Sequence, residues 1–162
     1  MSTGQHVPLP KYRQNMKRII THPSITIHNP TIILVTPPPI NEIHLEAEDS
    51  EKGFSAMTRQ QAVTAQYANT IRELAAEFKD RKVLLVDLWA ALMREGARLT
   101  PGFVEGVGLL GEKASGDSVG LRSLLVDGLH LTADGYAVFF RELMSVLEGT
   151  EGGIDAQPWV FP

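Results

Sequence analysis

The sequence predicts an α/β fold with a parallel sheet, and three observations predict it. Two short runs, Thr31-Ile32-Ile33-Leu34-Val35 and Val83-Leu84-Leu85-Val86, are continuously apolar. Runs of that kind read as strands buried on both faces, the pattern of a parallel sheet rather than an alternating antiparallel one. Helical periodicity precedes, separates and follows them, and helix–strand–helix–strand–helix is the order of parallel α/β units.

Leu9, Tyr12, Met16, Ile19 and Ile20 fall on one helical face, with Pro10 suited to a first turn. The pattern stops at His22-Pro23, because proline pushes its predecessor out of the α region. The first strand ends at Pro37-Pro38-Pro39, none of which can donate to a ladder. Residues 40–57 are acidic and aperiodic and read as a long surface loop. Thr58-Arg59-Gln60-Gln61 has the form of a capping box. Behind it Val63, Tyr67, Ile71, Leu74, Ala75 and Phe78 make one apolar stripe. After the second strand, residues 88–95 read as a short helix ended by Gly96. Residues 100–118 are glycine-rich and irregular in expectation. Tyr136, Phe139, Phe140, Leu143, Met144 and Leu147 trace an amphipathic helix, with Thr132 as N-cap and Asp134 in its first turn.

The expected organisation is one unit over residues 1–148 and an irregular tail over 149–162. Two strands buried on both faces leave an open edge on each side, so the unit reads as half of a doubly wound domain. Hydrophobic residues make up 43% and charged residues 21%, an ordinary balance for a globular chain. The net charge of −4, with no basic run, argues against nucleic acid as a partner. The absence of cysteine excludes disulfides, thiolate metal sites and a cysteine nucleophile. The N-terminal residues carry no apolar signal-peptide segment, and no apolar run is long enough to span a bilayer. A cytoplasmic location is therefore expected.

The segment that carries chemistry is Val126-Asp127-Gly128-Leu129-His130-Leu131-Thr132, just ahead of the last helix. Across a tight turn, Asp127 can reach the Nδ1–H of His130, fix its tautomer and stabilise the imidazolium formed when Nε2 takes a proton. Asp-Gly is also a plain turn signal, and that reading stands beside the catalytic one. His6, His22, His28 and His44 lie in loops or beside prolines and read as solvated. No two histidines share metal-ligand spacing with a carboxylate on one helix face, and there is no HExxH. Gly116-Asp117-Ser118 spells a nucleophile signature, but no apolar strand precedes it, as presentation of a serine at a strand end requires. Asp87 reads as a helix cap and Trp89 as core.

Taken together these residues resemble the SGNH/GDSL hydrolases, in particular the isoamyl-acetate-hydrolysing esterase group. The blocks that carry the resemblance are Gln5-His6-Val7-Pro8-Leu9 with Tyr12 and Asn15, Ile32-Ile33-Leu34-Val35-Thr36-Pro37-Pro38-Pro39, Asp87-Leu88-Trp89, and Asp127-Gly128-Leu129-His130-Leu131 with Gly135-Tyr136. The resemblance runs from about residue 5 to residue 147. It implies a three-layer α/β/α, flavodoxin-like fold and cofactor-free cleavage of short-chain carboxylic esters. It also implies that Asp127 and His130 are the acid and base of a Ser-His-Asp triad. In the family the serine and the oxyanion donors lie in blocks N-terminal to the Gln5 segment, and here only Met1-Ser2-Thr3-Gly4 stand before it. The expectation is therefore a truncated hydrolase, holding the last parallel strands and their helices and inactive alone. A small ester would be its substrate once the missing half is supplied.

Ligands of open α/β sheets sit beyond the C-terminal strand ends, which makes Thr36, Pro37 and Pro38 candidate substrate-binding residues. A plain strand-terminating loop is the competing reading of those three. Two other functions remain open. One is a non-catalytic module that associates with itself or a partner through its open sheet edge. The other is hydrolysis of a lipid or an acetylated sugar, since related folds accept many substrates.

Overall fold

The structure is a computed structural model that describes residues 6–104 and 106–149. Gln5, and the expected tail from residue 150 onward, lie outside the described residues. Strands β1 (Ile32–Val35) and β2 (Val83–Val86) pair in parallel, Ile32 opposite Val83 and Val35 opposite Val86. In a parallel pair, opposed residues point to the same face, so Ile32, Leu34, Val83 and Leu85 share one side. Helices α1 (Leu9–Ile20) and α4 (Gln61–Glu77) cover that side, packing Ile20, Ile71 and Leu74 onto Leu34 and Val83. Helices α5 (Leu88–Arg98) and α7 (Ala133–Glu148) cover the other, where Leu88, Leu92, Leu124 and Val138 meet Val35. The result is the expected α/β/α layering around a parallel sheet.

The faces are less completely covered than the apolar runs predict. Leu34, Val83 and Val86 are buried, while Ile32, Ile33, Val35, Leu84 and Leu85 are only partly so. Among the described residues the sheet has two strands, and a two-stranded sheet is all edge. Partial exposure follows, because no third strand flanks either member.

Helix α1 begins after Pro8 and ends at Ile20, and its Tyr12 and Met16 pack on the core while Ile19 faces out. Arg13 and Lys17 bind Glu73 and Glu77 of α4 at 2.6–2.9 Å, pinning the two helices together. A one-turn helix, α2 (Pro23–Thr26), follows the predicted stop.

Residues 40–57 are not a loop. They contain α3 (Glu42–Glu51), capped by Asn41, whose Oδ1 accepts the His44 N–H. Leu45 is the one apolar residue α3 fully buries; its other buried positions are Glu42 and Asp49. Their carboxylates accept backbone N–H groups of Gln61, Lys113 and Thr58. The periodicity is real but is carried by polar side chains, which an apolar-stripe criterion does not see. The Thr58 capping box does not form either. Helix α4 starts at Gln61, and the Thr58 N–H is held by Asp49.

Helix α5 runs on through Gly96 to Arg98. Gly96 is a contact point rather than a stop: a Cβ there would meet Leu121 at 2.9 Å, and the backbones of Gly96 and Gly120 approach directly. Gly120 belongs to α6 (Val119–Leu124), a short helix that the glycine-rich context conceals. Helix α7 begins as expected, with the Thr132 hydroxyl accepting the Gly135 N–H at 3.1 Å. Its aromatic stripe is split, however. Phe139 packs inward, whereas Tyr136 and Phe140 face solvent.

Candidate active site

The turn between α6 and α7 holds Asp127 and His130. A short antiparallel bridge, Leu125 to Leu131, closes it, with the Val126 N–H donating to the His130 carbonyl at 2.8 Å. Inside the turn, Asp127 Oδ1 accepts the backbone N–H groups of Leu129 (3.0 Å) and His130 (2.8 Å). Asp127 Oδ2 lies 2.8 Å from His130 Nδ1. One oxygen of the carboxylate thus builds the turn while the other orients the imidazole, leaving Nε2 as the free proton acceptor.

The environments of the partners differ sharply. The Asp127 side chain is 18% exposed and that of His130 is 73% exposed. Burial pushes the Asp127 carboxyl upward, but hydrogen bonds from the His130 amide, the His130 ring and the Leu129 amide outweigh it and hold the group down at about 2. The acid is therefore ionised at any ordinary pH, as the partner of a proton-accepting histidine must be.

Gly128 makes this geometry accessible. Its φ is +79°, and a Cβ would lie 2.6 Å from the Leu45 N and 2.7 Å from the Asn41 carbonyl. Its own carbonyl accepts the Asn41 N–H at 2.9 Å. The turn is thus seated against the start of α3. Asn41 is fully buried and donates through Nδ2 to the Ser118 carbonyl.

A polar hub beside Asn41, which sequence reasoning does not find, fixes this seat. Gln61, with no exposed surface, accepts the Ile40 N–H and donates to the Leu110 carbonyl, both at 2.8 Å. Glu42 accepts the Gln61 N–H at 2.7 Å and the Lys113 N–H at 2.8 Å. The signal available in sequence is faint: a Glu and a Gln at element starts, with no apolar pattern to mark them.

Of the other site candidates, Pro37 and Pro38 line a cavity of about 590 Å³, together with Leu129, the neighbour of His130. Thr36 does not line it. Its buried hydroxyl donates to Asp87 and accepts the Trp89 N–H at 2.8 Å. Asp87 caps α5 through Ala90 and also takes a two-pronged ion pair from Arg72, at 2.7 and 2.9 Å. Burial opposes ionisation of Asp87, yet Arg72, the Ala90 amide and Thr36 bring its carboxyl below the usual range.

Ser118 of the Gly-Asp-Ser triplet is buried and caps α6, bonded to the Leu121 N–H and the Thr100 hydroxyl. Asp117 is paired with Arg122. Among the described residues, no serine hydroxyl is hydrogen-bonded to His130. His6, His22 and His28 are exposed, but His44 departs from its reading as solvated: its Nδ1 is buried without a hydrogen-bond partner among the described residues. Helix α3 carries that ring against the protein, whereas a loop would have left it in water. No group of three or more His, Asp or Glu among the described residues is placed to hold a metal ion, and no described helix is long and apolar enough to cross a membrane.

The described residues form a parallel α/β/α scaffold with a carboxylate-held imidazole on the turn before the last helix. The chain belongs to the GDSL-like lipase/acylhydrolase family, whose model matches residues 2–143. It is 28% identical over 159 residues to the mouse (Mus musculus) isoamyl acetate-hydrolyzing esterase 1 homolog, covering 98% of this chain and 52% of that protein. It is also 28% identical over 165 residues to a GDSL esterase/lipase of Arabidopsis thaliana, covering 99% of this chain and 58% of that protein. The chain thus spans about half the length of the curated relatives it matches. Its fold is shared with a crystal structure of a lipase/acylhydrolase from Enterococcus faecalis, with a TM-score of 0.55 at 18% identity over 91% of this chain and 55% of that one. An α/β hydrolase from the metagenome of Lake Arreo gives a TM-score of 0.52, also at 18% identity, over 89% of this chain and 49% of that one.

Proposed function

We propose that this chain supplies the acid–base half of a Ser-His-Asp carboxylic ester hydrolase acting on short-chain esters, acetates among them. The observation that carries this reading is the 2.8 Å contact between Asp127 Oδ2 and His130 Nδ1. Nε2 of His130 removes the proton from a serine hydroxyl as the oxygen attacks the ester carbonyl, then returns it to the leaving alcohol. Asp127 keeps the ring in the productive tautomer and stabilises the imidazolium. The nucleophile and the oxyanion donors come from sequence beyond these 162 residues. Without them the chain is not a competent esterase, since one missing oxyanion donor alone costs about 10²–10³ in rate.

The test has two arms. The purified chain, given short acyl esters, shows no turnover that His130→Ala removes. Joined to the part of the mouse relative that this chain does not cover, it gains turnover that His130→Ala lowers by about 10²–10⁴, the range of general-base assistance. His130-dependent turnover by the chain alone contradicts the first arm; an active fusion indifferent to His130 contradicts the reading as a whole.

The two-stranded sheet favours one further reading. Among the described residues the outer edge of neither strand is paired, so a strand from a second copy or another polypeptide can add there. A monomer at all concentrations by analytical ultracentrifugation argues against it.

A further inference from the structure

The cavity beside the acid–base turn has a composition that selects a ligand. It begins at Pro37, Pro38 and Leu129, next to His130, and extends to Met57 and the aromatic pair Tyr12 and Tyr67. Those two rings meet edge to face at 5.0 Å. The Tyr67 hydroxyl is engaged by the Val7 carbonyl at 2.6 Å, which fixes the ring. The cavity's volume of about 590 Å³ falls in the size range of small-molecule sites.

We propose that this cavity receives the aromatic arm of a neutral ester, with the ester carbonyl at the Leu129 end beside His130. The inference rests on the hydrolase reading for that orientation, but not for the binding itself. Two tyrosine rings, two prolyl rings and a thioether present the surfaces against which an aryl ring packs best: ring edges, flat aliphatic faces and polarisable sulfur. A linear alkyl arm of matched hydrophobicity, such as pentyl, buries its apolar area without those contacts. The apolar surfaces of Tyr12, Tyr67, Pro37, Pro38 and Met57 favour an uncharged arm; Arg59 keeps its charge while donating to the Thr58 hydroxyl, which makes an anion the competing occupant that the test includes.

The experiment is direct binding to the chain as it stands, read from amide chemical shifts of Val63, Tyr67 and Leu129. 2-Phenylethyl acetate, pentyl acetate and phenylacetate are the probes. The two acetates differ in arm chemistry at closely matched hydrophobicity. The aryl ester binds about 2–10-fold more tightly, the span of ring-packing contributions. Val63, 37% exposed on α4, also lines the cavity. Val63→Trp fills the space without touching the core and weakens both esters at least tenfold. Met57→Ala removes the sulfur and narrows the aryl preference.

His130→Ala leaves binding within twofold, so loss of esterase chemistry and loss of the cavity's role are read separately. Equal or tighter binding of pentyl acetate overturns the proposal, as does a Val63→Trp chain, folded by circular dichroism, that binds as before. Tighter binding of phenylacetate than of 2-phenylethyl acetate also overturns it, since the recognition element would then be the charge on the lining at Arg59.

Discussion

Replacing Gly128 with alanine is the sharpest test of how the Asp127–His130 turn is held. Three penalties act at once. A left-handed φ of +79° costs an L-residue about 1–2 kcal/mol. The new Cβ would also sit 2.6 Å from the Leu45 N and 2.7 Å from the Asn41 carbonyl. Relieving that overlap costs about 1–3 kcal/mol, and giving up the Asn41-to-Gly128 hydrogen bond adds about 0.5–1.5 kcal/mol. Gly102 supplies the control, for it has the same φ of +79° and nothing within 4 Å of the place a methyl would occupy. Gly102→Ala therefore carries the backbone penalty alone. The excess for Gly128→Ala, about 3 kcal/mol at the centre of the range, lowers the melting temperature by roughly 6–12 °C more than the control in a chain of this length. Thermal unfolding followed by circular dichroism measures both. Equal shifts for the two variants would refute the claim that the turn is seated against α3.

Further outcomes follow from the same geometry. Asp127 has a folded value of about 2 against an ordinary 3.8, so its contribution is complete above pH 3.8 and is lost as pH falls from there toward 2. Asp127→Asn flattens that part of the stability–pH curve in urea titrations, leaving the shares of Asp87, Glu77 and Glu95; an unchanged curve contradicts the assignment. Gln61→Leu strands the Ile40 N–H and the Leu110 carbonyl and destabilises by about 2–5 kcal/mol. Hydrogen exchange at the Ile40 amide should quicken in step, and a protected amide would count against the hub. Arg72→Lys keeps the charge but loses the two-pronged geometry on Asp87, so urea midpoints should report a loss of about 0.5–1.5 kcal/mol.

The strands are the most legible part of the fold, because Ile32–Val35 and Val83–Val86 are apolar without interruption and bounded by Pro or Asp. The last helix is legible from Thr132 and its stripe, although Tyr136 and Phe140 lie off the packed face. Helix α3 is invisible in sequence because Glu42 and Asp49 bury their carboxylates on backbone N–H groups, a pairing that only tertiary structure creates. Gly96 misleads for a related reason: glycine ends helices, but it also lets two helices touch, and α6 has to be present for the second use to show. In the site, the spacing of Asp127 and His130 foretells their contact, since three residues across a glycine leave few alternatives. The role of Thr36 is not legible. Its hydroxyl is taken by partners more than fifty residues away in sequence, Asp87 and Trp89.

The uneven exposure of Asp127 and His130 has a consequence for how a reactive hydroxyl is met. The aspartate is anchored inward by three contacts, and the ring projects outward on a bridge already closed by hydrogen bonds. Under the proposed role, the imidazole is already held in place before a hydroxyl reaches it. The conformational entropy lost in assembling that triad would then fall on the element that delivers the serine, and variants that stiffen that element, rather than this turn, are where gains in rate would be sought.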